Sequence, residues 1–397
     1  MKTMGRIAMV AIFFLGITAA QPATAEVGVT DTTIKLGHFG DMSGPAAYIG
    51  EMVVGSTQAY LGMVNQEGGV LGRKLELVIE DNKYDPTLTK SAFTKLVSQH
   101  RVFMLINVYG SSPCTAIFPD IEKEKIPVIP TYAGASSMFD PPKKYLFWLA
   151  NNGVDEGLLV VDFIVKDLKA QKPKIGICYQ DDEWGKDGLQ GIIQGCKKHK
   201  LDAPVTAPYK RGEFKLGPQA MKLKAAGVTH CFYVGYAPVY VALLKAAHDV
   251  GWKPVFFGDY VSVDTKTFQM GKELSHGHYH VLNTGLPQEN VPGAKKMSEA
   301  IVKYGAKVDV NNPLIPMLWA GCLAWTEGLK RAGKDLTREK FITAMETLKE
   351  FPVDGLMAPL TYGPNLRKGA HYYRILRADY EKQLFVPASD WRRSSAD

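Results

Sequence analysis

The chain has 397 residues, a formal net charge of +7 and 46% hydrophobic residues, enough for two domains with real cores. The positive net charge is mild, and the basic residues do not form a stripe with aromatic residues along the chain. This pattern excludes a nucleic-acid partner. The five cysteines have no CxxC or knuckle spacing, which argues against a zinc site. Of these, Cys178 and Cys231 lie in apolar runs, so we expect them to be buried small hydrophobes.

Residues 1–25 have the parts of a secretory signal peptide. Lys2 and Arg6 precede an apolar stretch, and a small-residue cleavage signal ends at Ala25. The stretch is shorter than the roughly 20 residues that span a bilayer. Because the first cysteine is Cys114, a lipid anchor at the new N-terminus is disfavoured. We therefore expect cleavage after Ala25 and a soluble periplasmic protein.

Strands and helices alternate along the chain, which predicts parallel sheets covered by helices. The first part has predicted strands at 34–39, 74–80, 102–106 and 126–130 and helices from Pro45 and after the Asp85-Pro86 cap. The second part begins after 151–153, with predicted strands at 174–179, 230–234 and 255–257 and helices at 185–198, 214–226 and 238–250. Helices at 316–332 and 337–349 complete the first domain, and we expect crossings between domains at 278–282 and 356–360.

Several segments, taken in order, carry a family resemblance. The chain resembles the periplasmic solute-binding proteins of ABC importers, in the leucine/isoleucine/valine-binding branch. The segments are MSGPAAYIGE at 42–51, NQEGGVLGRKLEL at 65–77, YDP at 84–86, YGSSPCTAIFP at 109–119, KIPVIPT at 125–131, DDEWGKDG at 181–188 and FYVGYAP at 232–238. Their order and spacing extend the resemblance over essentially the whole mature chain.

The resemblance implies an α/β fold with two doubly wound parallel-sheet lobes joined by three hinge strands. The implied N-terminal lobe comprises 26–150 plus 282–356, and the C-terminal lobe comprises 151–281 plus 357–397. A small ligand would be enclosed between the lobes and delivered to membrane permease subunits of an ABC importer. We expect a monomer without a cofactor.

Serine and small residues follow two strands of the first lobe. Ser111 and Ser112 precede Pro113, which predicts a serine-capped helix start that can hold a ligand carboxylate. The alternative is an ordinary cap that faces solvent. In the turn after the next strand, Ala133 and Gly134 would let the backbone approach the ligand closely, and Ser136 would add a hydroxyl group. The alternative is a plain glycine turn without a role in binding. The MSGPAAYIGE loop is expected to add Tyr48 or Ile49 to the same wall.

In the second lobe, the resemblance gives Trp184 and Tyr236 the role of aromatic covers over the ligand. Packing within the lobe is the alternative for both side chains. Amino-acid-binding relatives place an acidic residue after the strand that matches VFFGDYV, where this chain has Tyr260 next to Asp259. If Asp259 faces the cleft, it can pair with an α-ammonium group. If Tyr260 does, an amine-free aromatic or aliphatic carboxylate fits better, since an unpaired enclosed ammonium is costly.

Neither a disulfide bond nor a metal site is predicted from the remaining sequence features. Tyr84 and Gly110 stand where some relatives have a cysteine pair, so no disulfide is carried over. His276, His278 and His280 alternate and would share one face of a strand, but no acidic or cysteine partner is evident nearby, and we expect no metal site.

The sequence predicts a non-enzymatic solute receptor. It has no GxSxG, HExxH, P-loop or GxGxxG motif, and nothing assembles a nucleophile, a base and an orienting group. We expect the ligand to be a hydrophobic or branched-chain amino acid or a related small carboxylate, with the amine-free carboxylate as the alternative. A sensory domain of the same fold and a secreted hydrolase are the other functions that we consider.

Overall fold

The computed structural model describes residues 26–44, 46–305 and 307–394. The predicted signal peptide and the predicted helix start at Pro45 lie outside these residues. Within them, no helix has both the length and the apolar character that crossing a membrane requires.

The strands, in chain order, are β1 Thr33–Gly40, β2 Lys74–Asp81, β3 Met104–Tyr109, β4 Val128–Tyr132, β5 Ile175–Gln180, β6 Val205–Tyr209, β7 His230–Val234, β8 Val255–Gly258, β9 Tyr279–Leu282, β10 Tyr372–Asp379, β11 Leu384–Pro387 and β12 Arg392–Arg393. The α-helices are α1 Ala47–Gln66, α2 Pro86–Thr94, α3 Ser111–Thr115, α4 Phe118–Glu124, α5 Gly153–Lys166, α6 Glu183–Lys198, α7 Gly217–Ala225, α8 Ala237–Asp249, α9 Thr265–Gly271, α10 Pro292–Tyr304, α11 Ile315–Ala332 and α12 Arg338–Glu346. A π-helical turn at Lys95–Gln99 continues α2.

The first sheet is parallel throughout, in the order β2-β1-β3-β4. Every residue of β3 is buried, as a parallel strand covered on both faces requires. Helix α1 packs against α10 and α11 on the outside of this sheet. Helix α2 begins as predicted, because the Asp85 carboxylate accepts hydrogen bonds from the N–H groups of Thr87 and Leu88.

The second sheet runs β11-β10-β9-β8-β7-β5-β6, and β12 pairs with β10. Strands β9 to β6 are parallel, whereas β10, β11 and β12 pair antiparallel at one edge. The predicted α/β class with doubly wound parallel-sheet lobes is confirmed, but the antiparallel edge was not predicted. The sequence also failed to indicate β6, which lies at the opposite edge and contains Pro208.

The chain crosses between the two sheets at three neighbouring places. The Trp148 N–H donates to the Arg367 carbonyl at 2.9 Å, and the Gly369 N–H donates to the Trp148 carbonyl at 2.8 Å. The Asn283 side chain donates to the Leu149 carbonyl at 3.0 Å. These hydrogen bonds hold the crossings side by side.

The third crossing lies later than predicted, so the crossing at 356–360 is wrong. Leu360 exchanges backbone hydrogen bonds with Phe351, and the Tyr362 N–H donates to the Leu348 carbonyl beside α12. Residues 357–369, which we assigned to the second lobe, are therefore tied to the first, and the chain joins the second sheet only at β10. The other predicted lobe boundaries stay predictions.

Helices α5 and α6 approach unusually closely because glycines line their contact. A Cβ atom at Gly191 would lie 2.3 Å from the Val154 carbonyl oxygen, and one at Gly157 would lie 2.6 Å from the Ile192 nitrogen. This contact matters for function because α5 begins at the first crossing and α6 carries Trp184 in its first turn.

We predict that Gly191→Ala destabilises the protein by about 1–3 kcal/mol, because the added methyl meets backbone that cannot move without separating the helices. Chemical denaturation measures the free energy of unfolding. The control is Gln194→Ala on the exposed face of α6, which we expect to change stability by about 0.5 kcal/mol or less. Equal stability of the two variants would contradict the close helix contact.

Candidate functional site

An aromatic-walled cavity lies between the lobes, where the strands of both sheets end. It is lined by Ile49, Tyr84, Tyr109, Ser111, Tyr132, Gly134, Trp184, Tyr236, Tyr260, Val261 and Leu314. Among the described residues that form this wall, none carries a formal charge. We call this space the inner cavity.

A second space, the outer cavity, adjoins it toward the cleft opening. It is lined by Asp41, Ala46, Tyr48, Tyr84, Gln180, Arg211, Gly212, Phe214, Tyr236, Pro238 and Val239. Of the predicted site residues, the inner cavity thus brings together Ile49, Ser111, Gly134, Trp184, Tyr236 and Tyr260. Tyr48 lines the outer cavity instead.

Ser111 and Ser112 differ in their environment. The Ser111 hydroxyl oxygen accepts a hydrogen bond from the Ala135 N–H at 3.2 Å and faces the inner cavity, whereas Ser112 is not part of either wall. The predicted serine cap is wrong: α3 begins at Ser111 and its N-cap is Gly110, which has no side chain to cap with. The helix has only five residues, so its dipole is short.

Gly110 allows Tyr84 to form part of the wall. Gly110 has φ +91°, and a Cβ at this position would lie 2.5 Å from the Tyr84 ring. Tyr84 and Gly110 are the residues at the place of the cysteine pair of some relatives. Here, a tyrosine ring packed over a glycine occupies that place and reaches the cavity, a role that the sequence did not indicate.

The residues of the turn after β4 have different surroundings: one lines the inner cavity, and another contacts the second lobe. Gly134 lines the inner cavity, and a Cβ there would lie 2.8 Å from Trp184 Cδ1, so this position requires glycine for close approach. Ala133 is outside the wall, and its carbonyl accepts from the Trp148 indole at 2.6 Å. Ser136 is also outside the wall, but its N–H donates to the Asp187 carboxylate of the other lobe.

Trp184 is the central aromatic residue of the second-lobe wall. Asp182 caps α6 and places Trp184 in its first turn, where the indole contacts the rings of Tyr236 and Tyr260 at 5.6 and 6.1 Å. Trp184 is only 3% exposed, and its Nε1 has no hydrogen-bond partner in the part of the chain that the structure describes. The indole N–H is thus a buried donor at the cavity wall that a ligand acceptor can satisfy.

Tyr260, not Asp259, lines the inner cavity. Asp259 caps the short 3₁₀ turn Tyr260–Ser262, where its carboxyl accepts from the Ser262 N–H at 3.2 Å. Burial raises the pKa of the Asp259 carboxyl well above its ordinary value, and the nearby Glu156 charge raises it further. The Asp259 carboxyl thus lies behind the described wall of the inner cavity, and its Oδ2 has no hydrogen-bond partner among the described residues.

Glu156 of α5 is the residue of this region that sequence reasoning missed. Its Oε1 accepts from the Asn151 side chain at 2.8 Å and from the Tyr260 N–H at 3.0 Å. Burial raises the pKa of the Glu156 carboxyl above its ordinary value of 4.5, despite these two hydrogen bonds. The amphipathic pattern of α5 could have indicated a helix here, but a buried glutamate is visible only once the helix is placed.

The alternating histidines are structural. His280 Nδ1 lies 2.8 Å from the Ser262 hydroxyl, and His278 Nδ1 lies 3.1 Å from the Tyr240 hydroxyl. Burial lowers the pKa of His278 to about 4. Among the described residues, no three His, Cys, Asp or Glu side chains are grouped to hold a metal ion. All five cysteines are buried and unbridged.

We predict that Glu156→Gln flattens the pH dependence of stability. Because burial raises the folded-state pKa, the folded protein keeps a proton that the unfolded chain loses, and the free energy of unfolding falls as pH rises above about 4.5. This slope is at most about 1.4 kcal/mol per pH unit for one group. Denaturation curves between pH 4 and 9 measure it; the exposed Glu51→Gln is the control. An unchanged slope in Glu156→Gln would contradict the assignment.

Comparisons with known proteins agree with this architecture. A family model described as "Periplasmic binding protein" matches residues 33–383. The Leu/Ile/Val-binding protein of Escherichia coli (strain K12) is 24% identical over 333 residues, covering 83% of this chain and 86% of that protein.

Two solved structures are similar in fold. The fatty acid ABC transporter substrate-binding protein from Thermomonospora curvata has a TM-score of 0.83 at 24% identity and covers 94% of this chain and 95% of that chain. An ABC transporter solute binding protein from R. palustris, in complex with 4-hydroxybenzoate, has a TM-score of 0.79 at 19% identity, with coverages of 91% and 97%. Because the family model spans most of the sequence, this chain belongs to the periplasmic binding protein family.

Proposed function

We propose that this protein is the periplasmic receptor of an ABC importer and that its ligand is a carboxylate without an α-amine. The ligand's aromatic or aliphatic body would occupy the inner cavity. The signal peptide would be cleaved after Ala25, and the loaded receptor would act as a monomer that delivers the ligand to the permease subunits. The protein would bind its ligand without changing it chemically.

The observation that carries the ligand class is the pairing of a free indole donor with an uncharged wall. Trp184 Nε1–H can only donate, and a carboxylate only accepts, so the two are complementary. An α-ammonium group would bring further hydrogen-bond donors to this wall. Amino-acid-binding relatives place an acidic residue where this chain has Tyr260, so the wall offers no carboxylate to pair with the ammonium. An ammonium enclosed without an anionic partner loses its hydration without compensation.

The ligands named for relatives divide between the two ligand classes. One similar structure is described as a fatty acid receptor and another holds 4-hydroxybenzoate, and both ligands are carboxylates that lack an α-amine. The relatives named for leucine, isoleucine and valine support an amino acid instead. Of these two ligand classes, the tyrosine-rich wall favours the first, since aromatic rings offer large apolar contact with few rotatable bonds.

The proposed mechanism is hinge closure. Ser111 and Gly134 of the first lobe would receive the ligand, and Trp184 and Tyr236 of the second would then cover it. Contacts across the cleft, such as Asn312 Nδ2 to Asp264 Oδ2 at 3.0 Å, support a closed state that both lobes stabilise. Ligand promotes closure only if it binds the closed state more tightly than the open state.

We predict that 3-phenylpropanoate binds at least about tenfold more tightly than phenylalanine, from which it differs only by the amine, because the ammonium has no charge partner. The aliphatic pair 4-methylpentanoate and leucine should give the same order. Isothermal titration calorimetry measures both pairs. Tighter binding of leucine and phenylalanine would overturn the amine-free ligand and restore the branched-chain amino acid.

We further predict that Ser111→Ala weakens 3-phenylpropanoate binding by about tenfold, the scale of one hydrogen bond to a charged group. Trp184→Phe, which keeps the ring and removes the N–H donor, should weaken it by a similar factor. Ser112→Ala is the matched control because its hydroxyl lies outside the cavity wall, and its affinity should equal that of the unmodified protein. Equal effects of the two serine variants would remove the proposed role of Ser111.

A sensory role remains the competing function for the same fold. Deletion of the gene would distinguish the two roles, since a transport receptor is needed for uptake of its ligand. Normal uptake of the radiolabelled carboxylate in the deletion strain would reject the transport role.

A further inference from the structure

The inner and outer cavities share two walls, Tyr84 and Tyr236. The two rings meet edge to face, with centroids 6.0 Å apart and planes at 83°. Tyr84 belongs to the first lobe and Tyr236 caps α8 of the second. The partition between the cavities is therefore one ring pair, contributed by both lobes, rather than backbone.

This partition is held by side-chain contacts. Arg211 of the second lobe donates to the Tyr84 carbonyl, and its guanidinium lies 5.5 Å from the Tyr84 ring centroid. On the other side, Trp184 packs against Tyr236. A ligand that occupies both cavities would have to separate these two rings.

The outer cavity is suited to an apolar group. Two of its polar wall residues are already engaged: the Asp41 carboxylate accepts from the N–H groups of Gly44 and Ala46, and Gln180 Nε2 donates to Asp182 at 2.6 Å. The Tyr48 hydroxyl, by contrast, has no hydrogen-bond partner among the described residues. The remaining wall is mainly apolar. Phe214 stands at the rim with 50% of its surface exposed, and covering an exposed aromatic ring is favourable.

The two adjoining cavities thus differ in the chemical groups that they offer to a ligand. The inner cavity holds the free Trp184 donor and the Ser111 hydroxyl, whereas the outer cavity offers apolar surface at Val239 and Phe214. A molecule with a carboxylate head and a long apolar tail matches this order.

We propose that the two cavities form one elongated site for carboxylates whose apolar tail is longer than a branched-chain amino acid side chain. The head group binds at Ser111 and Trp184, and the tail passes between Tyr84 and Tyr236 to reach Phe214. This inference rests on the proposed function, because it assumes that a carboxylate without an amine is the ligand.

The test is calorimetric titration with a series of straight-chain carboxylates, from butanoate through hexanoate and octanoate to decanoate. An elongated site predicts that affinity rises about threefold for each added methylene through the series. A site confined to the inner cavity predicts a maximum at hexanoate or below and weaker binding beyond it, which would overturn the inference.

Two variants locate the tail. Phe214→Ala should reduce the ratio of decanoate to butanoate affinity by about tenfold, because the terminal part of the tail loses its cover. Met221→Ala is the control, since Met221 is similarly exposed, at 54%, and lies outside both cavities. An unchanged ratio in Phe214→Ala would also overturn the inference.

The series separates this inference from the proposed function. If butanoate binds and decanoate does not, the elongated site is rejected and the amine-free ligand stands. If leucine binds more tightly than every member of the series, the proposed function itself is rejected.

Discussion

The ligand cleft depends on the hydrogen bonds of one buried carboxyl group, that of Glu156. It joins the side chain of Asn151 at the first crossing to the backbone N–H of Tyr260 in the cavity wall. These contacts hold the start of α5, the crossing and the end of β8 in one arrangement. In that arrangement, Tyr260 faces the inner cavity while Asp259 turns back to cap its own 3₁₀ turn. A contact outside the cavity thus decides which of these two neighbouring residues lines the inner cavity.

The same region explains why an aromatic wall is compatible with a moving cleft. Each lobe contributes rings that contact those of the other lobe, such as Tyr84 and Tyr236, and no ion pair is needed to close the inner cavity. Separating the lobes exposes these rings to water at a cost in free energy, and a ligand that fills the space between the rings adds apolar contact. Close packing of α5 on α6 fixes the helix that carries Trp184 to the helix that carries Glu156.

The sequence predicted the main architecture because long apolar runs and helix caps are local signals. The Asp85 cap and the central strands, such as β5 and β7, needed no tertiary information. Edge strands escaped prediction because pairing, not hydrophobic pattern, defines them; β6 and β11 are examples. Of the predicted site residues, six line the inner cavity, as strand ends in such folds should: Ile49, Ser111, Gly134, Trp184, Tyr236 and Tyr260.

What the sequence could not indicate depends on side-chain direction. Ser111 and Ser112 are neighbours, yet only one faces the cavity, and the same is true of Tyr260 and Asp259. From the sequence, Tyr84 is only the residue that stands where some relatives have a cysteine. Its place in the cavity wall follows from its packing over Gly110. Glu156 lies in a helix that we did not predict, and its burial reflects contact with Tyr260, 104 positions away.

A crystal structure with 3-phenylpropanoate bound would test the central claim most directly. The account predicts that the carboxylate lies within hydrogen-bond distance, about 2.7–3.2 Å, of Trp184 Nε1 and the Ser111 hydroxyl, with the ring between Tyr84, Tyr236 and Tyr260. A carboxylate bound elsewhere, or a structure in which only an amino acid binds and its ammonium group contacts Asp259, would contradict it.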